Sequence, residues 1–342
     1  MPKAPRIAIA GAGLMGRAHA AAFQACGAEV VAVVDRERDR SRALAATCGA
    51  AARTTVEDAL REEPDALSIC LPHSLHFDAA MAAAAQGVAL LIEKPHCTSL
   101  AESRALRAAC DRHGVLAMAG FTHRFLATSR RLKASLAAGD LGTVDLVVDR
   151  LVANALGDHA PAWYRDRALA GGGIAMIGMI HAIDRLQWLL DSPVTDVLAR
   201  TRPPAASGAV EDTALAILCF ANGAQAALVA HRSPVPGHER AHRYEVLGRR
   251  LNASVSIGSF DRQELEFVGP GAPARLEVTD DQPFVTEVRE FLAALAEGRP
   301  AQPDLAQAEL ALAVVLALYE AERTRRPVNL REFLAAAPGT PP

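Results

Sequence analysis

The sequence predicts an α/β protein: an N-terminal Rossmann domain with a doubly wound parallel sheet, then a C-terminal α+β domain with a large, mostly antiparallel open sheet. Apolar runs alternate with helical stretches up to about residue 123. A glycine-rich segment joins the first strand to the first helix, and from residue 194 to 268 strand-like runs follow one another. We place the domains at 1–123 and 124–342; closing helices within 284–324 could return to the first domain.

Composition bounds the class of protein. The chain has 342 residues, more than one typical core, and is 51% hydrophobic. A net charge of -3 argues against nucleic-acid binding, and no apolar run reaches membrane-spanning length. Six cysteines without metal-ligand spacing predict buried free thiols of a cytoplasmic protein without a signal peptide. Residues 124–250 carry 15 basic and 12 acidic side chains, a hint of an anionic small-molecule substrate.

The first motif is G-x-G-x-x-G between the predicted strand Arg6–Ala10 and a predicted helix over 17–26, the context that dinucleotide binding requires. The first glycine allows a tight turn, the second lets the backbone approach a pyrophosphate, and the third permits close helix–strand packing. The helix N-terminus then faces the phosphates. The loop positions that we expect to contact the cofactor are Gly11, Gly13, Leu14, Met15 and Gly16.

The second strand, Glu29–Val34, predicts the choice of cofactor. It ends in Asp35, 19 residues after Gly16, where an acid can accept hydrogen bonds from the adenosine ribose hydroxyls. A helix-capping role for Asp35 is the alternative. Arg36 could pair with a 2′-phosphate, so the sequence favours NAD without excluding NADP.

The alternation continues to residue 120. Further strands are predicted at 66–71, 88–92 and 115–120, and helices at 41–48, 56–61, 77–86 and 100–113. Since ligands of open α/β sheets bind at the carboxyl ends of the strands, these ends are candidate cofactor contacts. The positions concerned are Leu71, Pro72, His73, His76, Glu93, Lys94 and Pro95.

The run Glu93-Lys94-Pro95 follows the most apolar of these strands. A lysine beside a buried crevice can have its pKa lowered by desolvation and can work as an acid or base. The alternative is a strand that simply ends in charged surface residues.

After residue 123 the pattern changes. Helices are predicted at 127–138 and 174–190, the second preceded by Gly171-Gly172-Gly173, and a strand at 144–152. Six strands are predicted within 194–268, helices at 284–297 and 305–324, a loop at 202–208 and a frayed tail at 335–342.

The ordered motifs resemble those of the glucose–fructose oxidoreductase, inositol dehydrogenase and rhizopine-catabolism (Gfo/Idh/MocA) family. The matching segments are GAGLMG at 11–16, EKP at 93–95, GFTHRF at 120–125, WYRDRALAGGG at 163–173, EDTALAILCFANGA at 211–224 and ERTRRPVNL at 322–330. The resemblance covers nearly the whole chain.

The resemblance implies an NAD(P)-dependent oxidoreductase that moves a hydride between nicotinamide and a secondary alcohol or ketone of a sugar, cyclitol or dihydrodiol. It also implies a homodimer or homotetramer. Three other activities stay open: an NAD-recycling sugar hydrolase or lyase, a ketoreductase that uses NADPH, and a nucleotide-sensing regulator without catalysis. Absorbance at 340 nm with a polyol panel would separate them.

Site residues follow from the same resemblance. Lys94 matches the lysine near the reacting hydroxyl, in a Lys94-Pro95 bond that is often cis, and His181 matches the acid/base histidine. The implied substrate contacts are Lys94, His123, Tyr164, His181 and Asp184, and Arg124 joins the cofactor contacts. The alternatives are purely structural roles: a packed histidine at position 181, a surface ion pair at 184, and loop packing for Tyr164 and Arg165. No metal is implied.

The sequence departs from the family at position 177, where the pattern G-G-G-x-x-x-D-x-x-x-H-x-x-D has its first Asp and this chain has Ile177. On a regular helix, positions 177, 181 and 184 share one face. Without the carboxylate we expect His181 to stay neutral at pH 7 and to accept a hydrogen bond. The candidate substitutes for the carboxylate are His123, Tyr164 and His159.

A basic cluster lies in the strand region. Its members are His231, His238, Arg240, His242 and Arg243. They could bind a carboxylate or phosphate of the substrate, and their spacing is not that of a zinc site. A solvated basic loop is the favoured interpretation.

Overall fold

The computed structural model describes residues 4–153, 161–203, 210–235 and 240–337. These residues form two compact units. The first, here the Rossmann unit, comprises the described residues up to Phe121 together with Phe284–Glu309. The second, here the sheet unit, runs from Thr122 to Pro283 and continues from Leu310.

The Rossmann unit contains a six-stranded parallel sheet in the order β3-β2-β1-β4-β5-β6. Its strands are β1 Arg6–Ala10, β2 Glu29–Val34, β3 Ala51–Arg53, β4 Ala66–Ile69, β5 Ala89–Glu93 and β6 Ala117–Gly120. Its crossover helices are α1 Leu14–Ala25, α2 Arg38–Cys48, α3 Val56–Leu60, α4 His76–Ala84 and α5 Leu100–His113. The predicted doubly wound sheet is confirmed, and β3 is the one strand of this sheet that the sequence pattern missed.

The strands are continuous apolar runs because helices cover both faces of a parallel sheet. Every residue of β4 and β5 is buried. Strand β3 escaped prediction because its three residues are all half-buried and two of them are alanine. The switch of strand order lies between β1 and β4, so the loops after these strands border the crevice where such sheets bind ligands.

The sheet unit is built on a nine-stranded, mostly antiparallel sheet in the order β14-β13-β12-β11-β7-β10-β9-β8-β15. Its strands are β7 Val144–Ala153, β8 Val194–Arg202, β9 Thr213–Phe220, β10 Gln225–Arg232, β11 Ala241–Gly248, β12 Asn252–Ile257, β13 Gln263–Val268, β14 Leu276–Val278 and β15 Val328–Asn329. The remaining α-helices among the described residues are α6 Ala127–Ala137, α7 Arg167–Ala170, α8 Ile180–Leu190, α9 Pro283–Glu297, α10 Leu305–Thr324 and α11 Leu330–Ala336. The six predicted strands are present, whereas β14, β15, α7 and α11 were not predicted.

The helix predicted over 174–190 is not regular. Residues Ala175–Met179 form a π-helical segment, and the α-helix α8 begins at Ile180. The stretch Arg167–Leu190 has the length and apolarity of a membrane span, but 72% of its most apolar window is buried inside the protein. We therefore treat it as a core helix of the sheet unit.

The prediction of free thiols is confirmed, whereas the prediction that all six cysteines are buried is only partly correct. All six cysteines are free thiols. Cys97 and Cys110 are fully buried, whereas the other four are half-buried. Burial raises the pKa of the Cys110 thiol to about 11, so this side chain stays protonated in the core.

Candidate functional site

The loop between β1 and α1 has the geometry of a phosphate-binding turn. Gly11 has a φ of 102°, and a Cβ there would lie 2.4 Å from the Cys70 carbonyl oxygen. A Cβ at Gly16 would lie 1.7 Å from the Gly11 carbonyl oxygen. At Gly13, in contrast, a Cβ would have nothing within 4 Å. The first and third glycines are thus required by packing, and the second leaves open the approach that a pyrophosphate needs.

The start of α1 is prepared for an anion. Gly13 is the N-cap residue, no described side chain caps it, and the first turn carries no acid. Its N–H groups and the positive end of the helix dipole therefore remain for a phosphate. Leu14 is 75% exposed beside them. These features fit the pyrophosphate of a dinucleotide.

Asp35 lies at the end of β2, where a ribose would be held. One of its carboxylate oxygens accepts the Ala12 N–H at 3.0 Å and the other accepts the Glu37 N–H at 2.9 Å. The side chain therefore holds the glycine loop to the end of β2, and each of its oxygens keeps a second lone pair for a further hydrogen bond. Arg36 beside it is exposed.

The end of β5 carries Glu93-Lys94-Pro95, and the Lys94-Pro95 peptide bond is cis, as the resemblance implies. Lys94 is half-buried, while Glu93 is 5% exposed. The Lys94 backbone N–H lies 3.2 Å from the Glu93 Oε2. Glu93 therefore fixes the backbone from which the lysine side chain departs.

His76 braces two loops of the predicted cofactor crevice. Its Nδ1 lies 2.8 Å from the Pro95 carbonyl oxygen and its Nε2 lies 2.8 Å from the Leu71 carbonyl oxygen. The ring is fully buried, and burial lowers its pKa, so one nitrogen at a time donates. His76 thus holds the two loops together, and the direct cofactor contact predicted for it stays a prediction. The neighbouring His73 is also buried, with its ring 5.8 Å from that of His76.

A buried ion pair lies behind Glu93. His19 on α1 is fully buried, and its Nε2 lies 3.1 Å from the Glu93 Oε1, while its Nδ1 lies 2.8 Å from the Ser68 Oγ. Burial alone would disfavour both charges. Contacts with Cys70 and Glu93 outweigh it and raise the pKa of His19 well above its usual value. The His19 hydrogen bond and charge likewise lower the pKa of Glu93 against its burial.

We expect His19→Gln to destabilise the protein by about 1–3 kcal/mol near pH 5.5, because glutamine keeps a donor but loses the charge. The contribution of His19 is complete below its ordinary pKa of 6.5 and is lost as pH rises through the raised folded-state pKa. That of Glu93 is complete above 4.5 and is lost as pH falls through its lowered pKa. The free energy of urea unfolding should therefore differ most from wild type between these values and less at alkaline pH.

The exposed His113 at the end of α5 provides a matched control, and His113→Gln should change the free energy of unfolding little at any pH. An equal loss for His19→Gln at pH 5.5 and at strongly alkaline pH would mean that His19 is not charged in the folded protein.

In the sheet unit, His181 stacks on His123. The two ring centroids are 4.2 Å apart and the rings are nearly parallel, at 14°. His123, in the short 3₁₀ turn Thr122–Phe125, is thus the candidate substitute that the fold brings to His181. Ile177 lies in the π-helical segment, so the assumption that positions 177 and 181 are one regular α-turn apart was wrong.

Burial, followed by the charges of His181 and Arg185, lowers the pKa of His123 well below its usual range. The ring stacked on His181 is therefore neutral at pH 7. His123 cannot provide the negative charge of the family's aspartate, and its effect on His181 is one of packing and orientation.

Arg124 and Asp184 are bound to each other. The Arg124 Nε and Nη2 donate to the two Asp184 oxygens at 2.8 and 2.6 Å, and both residues are buried. Such bidentate pairs fix two side chains in one geometry. Arg124 and Asp184 thus form a buried pair, and the cofactor and substrate contacts predicted for them stay predictions. The surface ion pair considered for Asp184 is wrong in its exposure, since Asp184 is 1% exposed.

Glu211 anchors the start of the helical segment that leads to His181. Its carboxylate accepts the N–H groups of Gly173 and Ala175 at 2.9 and 3.0 Å, and it also accepts the Tyr319 hydroxyl at 2.8 Å. A Cβ at Gly173 would lie 2.0 Å from the Glu211 carbonyl oxygen, which explains the glycine there. Burial and the nearby carboxylate raise the pKa of Tyr319, so its hydroxyl stays a donor.

The other predicted residues are dispersed. Tyr164 packs edge-on against Trp163 with ring centroids 4.4 Å apart, and Arg165 is exposed. His231 lies on β10 with its Nδ1 2.9 Å from the Thr213 Oγ1, and Arg243 is exposed and pairs with Glu245. His159 and His238 lie outside the described residues. The solvated loop favoured for the basic cluster is wrong for His242, which is 3% exposed on β11.

The sequence analysis missed three polar residues that hold the surroundings of the predicted site residues in place: His19, Arg185 and Glu211. A signal existed for each, because His19 is the only strongly polar residue on the buried face of α1, and Arg185 interrupts an otherwise apolar stretch. Glu211 had only its place beside Asp212 before a strand, and its partner glycine is 38 residues away. No local pattern connects the two.

The parallel sheet, its glycine loop and the strand-end lysine define a dinucleotide-binding oxidoreductase. A family profile described as "Oxidoreductase family, NAD-binding Rossmann fold" matches residues 5–121. The "GFO/IDH/MocA C-terminal domain" matches residues 129–253. Together they cover more than half of the chain, which therefore belongs to the GFO/IDH/MocA family.

The chain is 31% identical over 195 residues to the uncharacterized oxidoreductase YrbE of Bacillus subtilis, a match that covers 56% of this chain and 55% of that protein. It thus spans about half the length of that relative. It is 27% identical over 350 residues to the scyllo-inositol 2-dehydrogenase (NAD(+)) of the same organism, covering 95% and 96% of the two chains. The crystal structure of GenD2 from gentamicin A biosynthesis in complex with NAD is similar with a TM-score of 0.84 at 26% identity, covering 96% of this chain and 97% of that one.

Proposed function

We propose that this protein is an NAD-dependent dehydrogenase that oxidises a secondary alcohol of a sugar or cyclitol. The observation that carries the proposal is the pairing of an open Gly13 at an uncapped helix start with Lys94 at the end of β5, within one Rossmann unit. The dehydrogenase names among the relatives support the reaction class, and the inositol dehydrogenase supports a polyol substrate.

The chain's own residues account for binding and proton transfer. The α1 N-terminus and Gly13 hold the pyrophosphate, and Asp35 holds the adenosine ribose. Bound NAD⁺ supplies the hydride acceptor. Lys94, half-buried and with its backbone fixed by Glu93, takes the hydroxyl proton of the substrate. His181, held in the sheet unit by stacking on His123, can accept a hydrogen bond from a substrate hydroxyl group.

Absorbance at 340 nm with a panel of polyols tests this function. Steady net formation of NADH with at least one secondary alcohol is the expected result. Release of product without net NADH would instead identify a hydrolase or lyase that recycles its cofactor. Binding of NADH without turnover of any substrate would identify a regulator and would refute the proposal.

We further propose that the enzyme prefers NAD over NADP, because a 2′-phosphate would meet the Asp35 carboxylate. Fluorescence titration should give a lower dissociation constant for NADH than for NADPH, and Asp35→Ala should narrow the difference. Asp39, in the first turn of α2, is fully exposed, so Asp39→Ala is a matched control. Tighter binding of NADPH by the wild type would contradict the preference.

The outer face of the nine-stranded sheet supports a proposed homo-oligomer. Ile217 is 49% exposed and lies in register between Leu198 on β8 and Ala227 on β10, while Leu215 pairs with Val229. A contiguous apolar face of this kind favours pairing with a second copy. Ile217→Lys should therefore convert the oligomer into monomers in analytical ultracentrifugation, whereas a change at the exposed loop residue Asn222 should not. A monomeric wild type would refute this arrangement.

Six free cysteines also support a cytoplasmic, reducing location.

A further inference from the structure

A polar cluster lies inside the sheet unit beside His181. It is formed by Asp149 on β7, Arg185 on α8, His242 on β11 and His123, and each of these side chains is at most 3% exposed. Charged groups at such depth must be paired, because burial removes their hydration. We can therefore determine which hydrogen-bond donors and which charges of the cluster have a partner within the chain.

Asp149 balances one positive charge. Arg185 donates to one Asp149 oxygen, and the His242 Nε2 lies 3.1 Å from the other. Burial lowers the pKa of His242 although Asp149 opposes this, so the ring is neutral and its Nε2–H is the donor. The single carboxylate is thus matched by the single guanidinium of Arg185.

The proton of His123 can be assigned from its contact with Arg185. The Arg185 Nη1 lies 2.8 Å from the His123 Nδ1, and a guanidinium can only donate. The Nδ1 therefore carries the lone pair and the Nε2 carries the proton. Among the described residues this buried Nε2–H has no acceptor. A buried donor without a partner is unfavourable, and this one lies on the ring that stacks on His181.

Arg240 adds a second positive charge next to the cluster. Its guanidinium packs over Phe260 at 5.6 Å, and the Phe260 ring lies 5.9 Å from that of His123. Burial and then the charge of Arg185 lower the pKa of Arg240, which places the two guanidinium groups in each other's field. No carboxylate in the described part of the chain pairs with Arg240. Next to His181, Arg240 thus has no described anionic partner and the His123 Nε2–H has no acceptor; the buried Arg185 Nε–H and His242 Nδ1 of the cluster also have no hydrogen-bond partner among the described residues.

We infer that the substrate carries a carboxylate, which binds Arg240 and the His123 Nε2–H beside His181. This inference rests on the proposed dehydrogenase function and names its substrate class: a hydroxylated carboxylic acid, such as a sugar acid, rather than a neutral polyol. One carboxylate supplies one negative charge for Arg240 and an acceptor oxygen for the His123 Nε2–H. A phosphate dianion would exceed that charge.

The test compares matched acid and neutral substrates on the NAD-loaded enzyme. Suitable pairs are D-glucuronate with D-glucose, D-galacturonate with D-galactose, and D-gluconate with D-glucitol, with D-glucose 6-phosphate as a further arm. The value of kcat/KM for the better acid should exceed that of its neutral partner by at least about tenfold, as expected for a charge-assisted hydrogen bond. Calorimetry on the NADH-saturated protein should give a similarly lower dissociation constant for that acid.

Arg240→Gln should abolish the preference for the acid, and Arg240→Lys, which keeps the charge, should retain part of it. Arg243 follows Arg240 by three residues, lies on the exposed face of β11 and pairs with Glu245, so Arg243→Gln should leave the acid-to-neutral ratio at the wild-type value. Circular dichroism would verify that each variant is folded.

Three results would overturn the inference: a neutral partner preferred in every pair, the phosphorylated sugar preferred over all acids, or an acid preference that Arg240→Gln leaves unchanged. Turnover of neutral polyols alone would refute the carboxylate and leave the dehydrogenase function intact. Absence of NADH binding and of any turnover would refute the proposed function itself.

Discussion

Replacing Lys94 with alanine should lower kcat by roughly two to four decades, the range typical of general acid–base groups. The NADH dissociation constant should change by less than about threefold, because the proposed pyrophosphate and ribose contacts involve other residues of the Rossmann unit. The physical reason is that Lys94 is half-buried at the strand end, and Glu93 holds its backbone N–H at 3.2 Å. Stopped-flow and steady-state absorbance at 340 nm, with NADH titration by fluorescence, would measure both quantities.

Lys133 provides the control for Lys94. Its ammonium group binds the Trp188 carbonyl oxygen at 2.7 Å and the Asp191 carboxylate, so its role is in packing the sheet unit. Lys133→Ala should therefore keep kcat near the wild-type value. If Lys94→Ala also stays within threefold of wild type, Lys94 is a structural residue at the end of β5.

Replacing His181 with alanine should lower kcat by about tenfold to a hundredfold, less than the loss at Lys94. We expect a hydrogen-bond acceptor here and not a pre-charged acid, since position 177 is isoleucine and the ring that stacks on His181 is neutral. A lost hydrogen bond of about 1.5–3 kcal/mol corresponds to a loss of this size. The pH dependence of kcat provides a second measurement.

Ile177→Asp tests the same hypothesis about the charge of His181 by restoring the carboxylate of the family pattern. A carboxylate near His181 would favour its charged form, so the lower limb of the pH–rate profile should move upward. The π-helical turn at 175–179 makes this a test of position as well as of charge. A greater loss at His181 than at Lys94, together with an unmoved profile for Ile177→Asp, would show that another residue already partners His181.

The sequence by itself determined the architecture and one half of the candidate site. Strand periodicity and the Gly11–Gly16 loop predict the parallel sheet, because the spacing of glycines between a strand and a helix is a local sequence pattern that reflects a positive φ and close helix–strand packing. Asp35 and Lys94 were predictable for the same reason: each lies directly after a strand whose end is a known ligand position.

Only the tertiary structure decided how polar residues distant in sequence pair in the interior. Arg124 and Asp184 are 60 residues apart and His19 and Glu93 are 74 apart, yet each pair is bound side chain to side chain. Arg240 and His123 are separate candidates in the sequence. What connects them is the buried Arg185 on α8. Periodicity identifies which face of an element is buried. A buried charged side chain needs a partner, however, and here the partners are distant in sequence and are brought together only by tertiary packing.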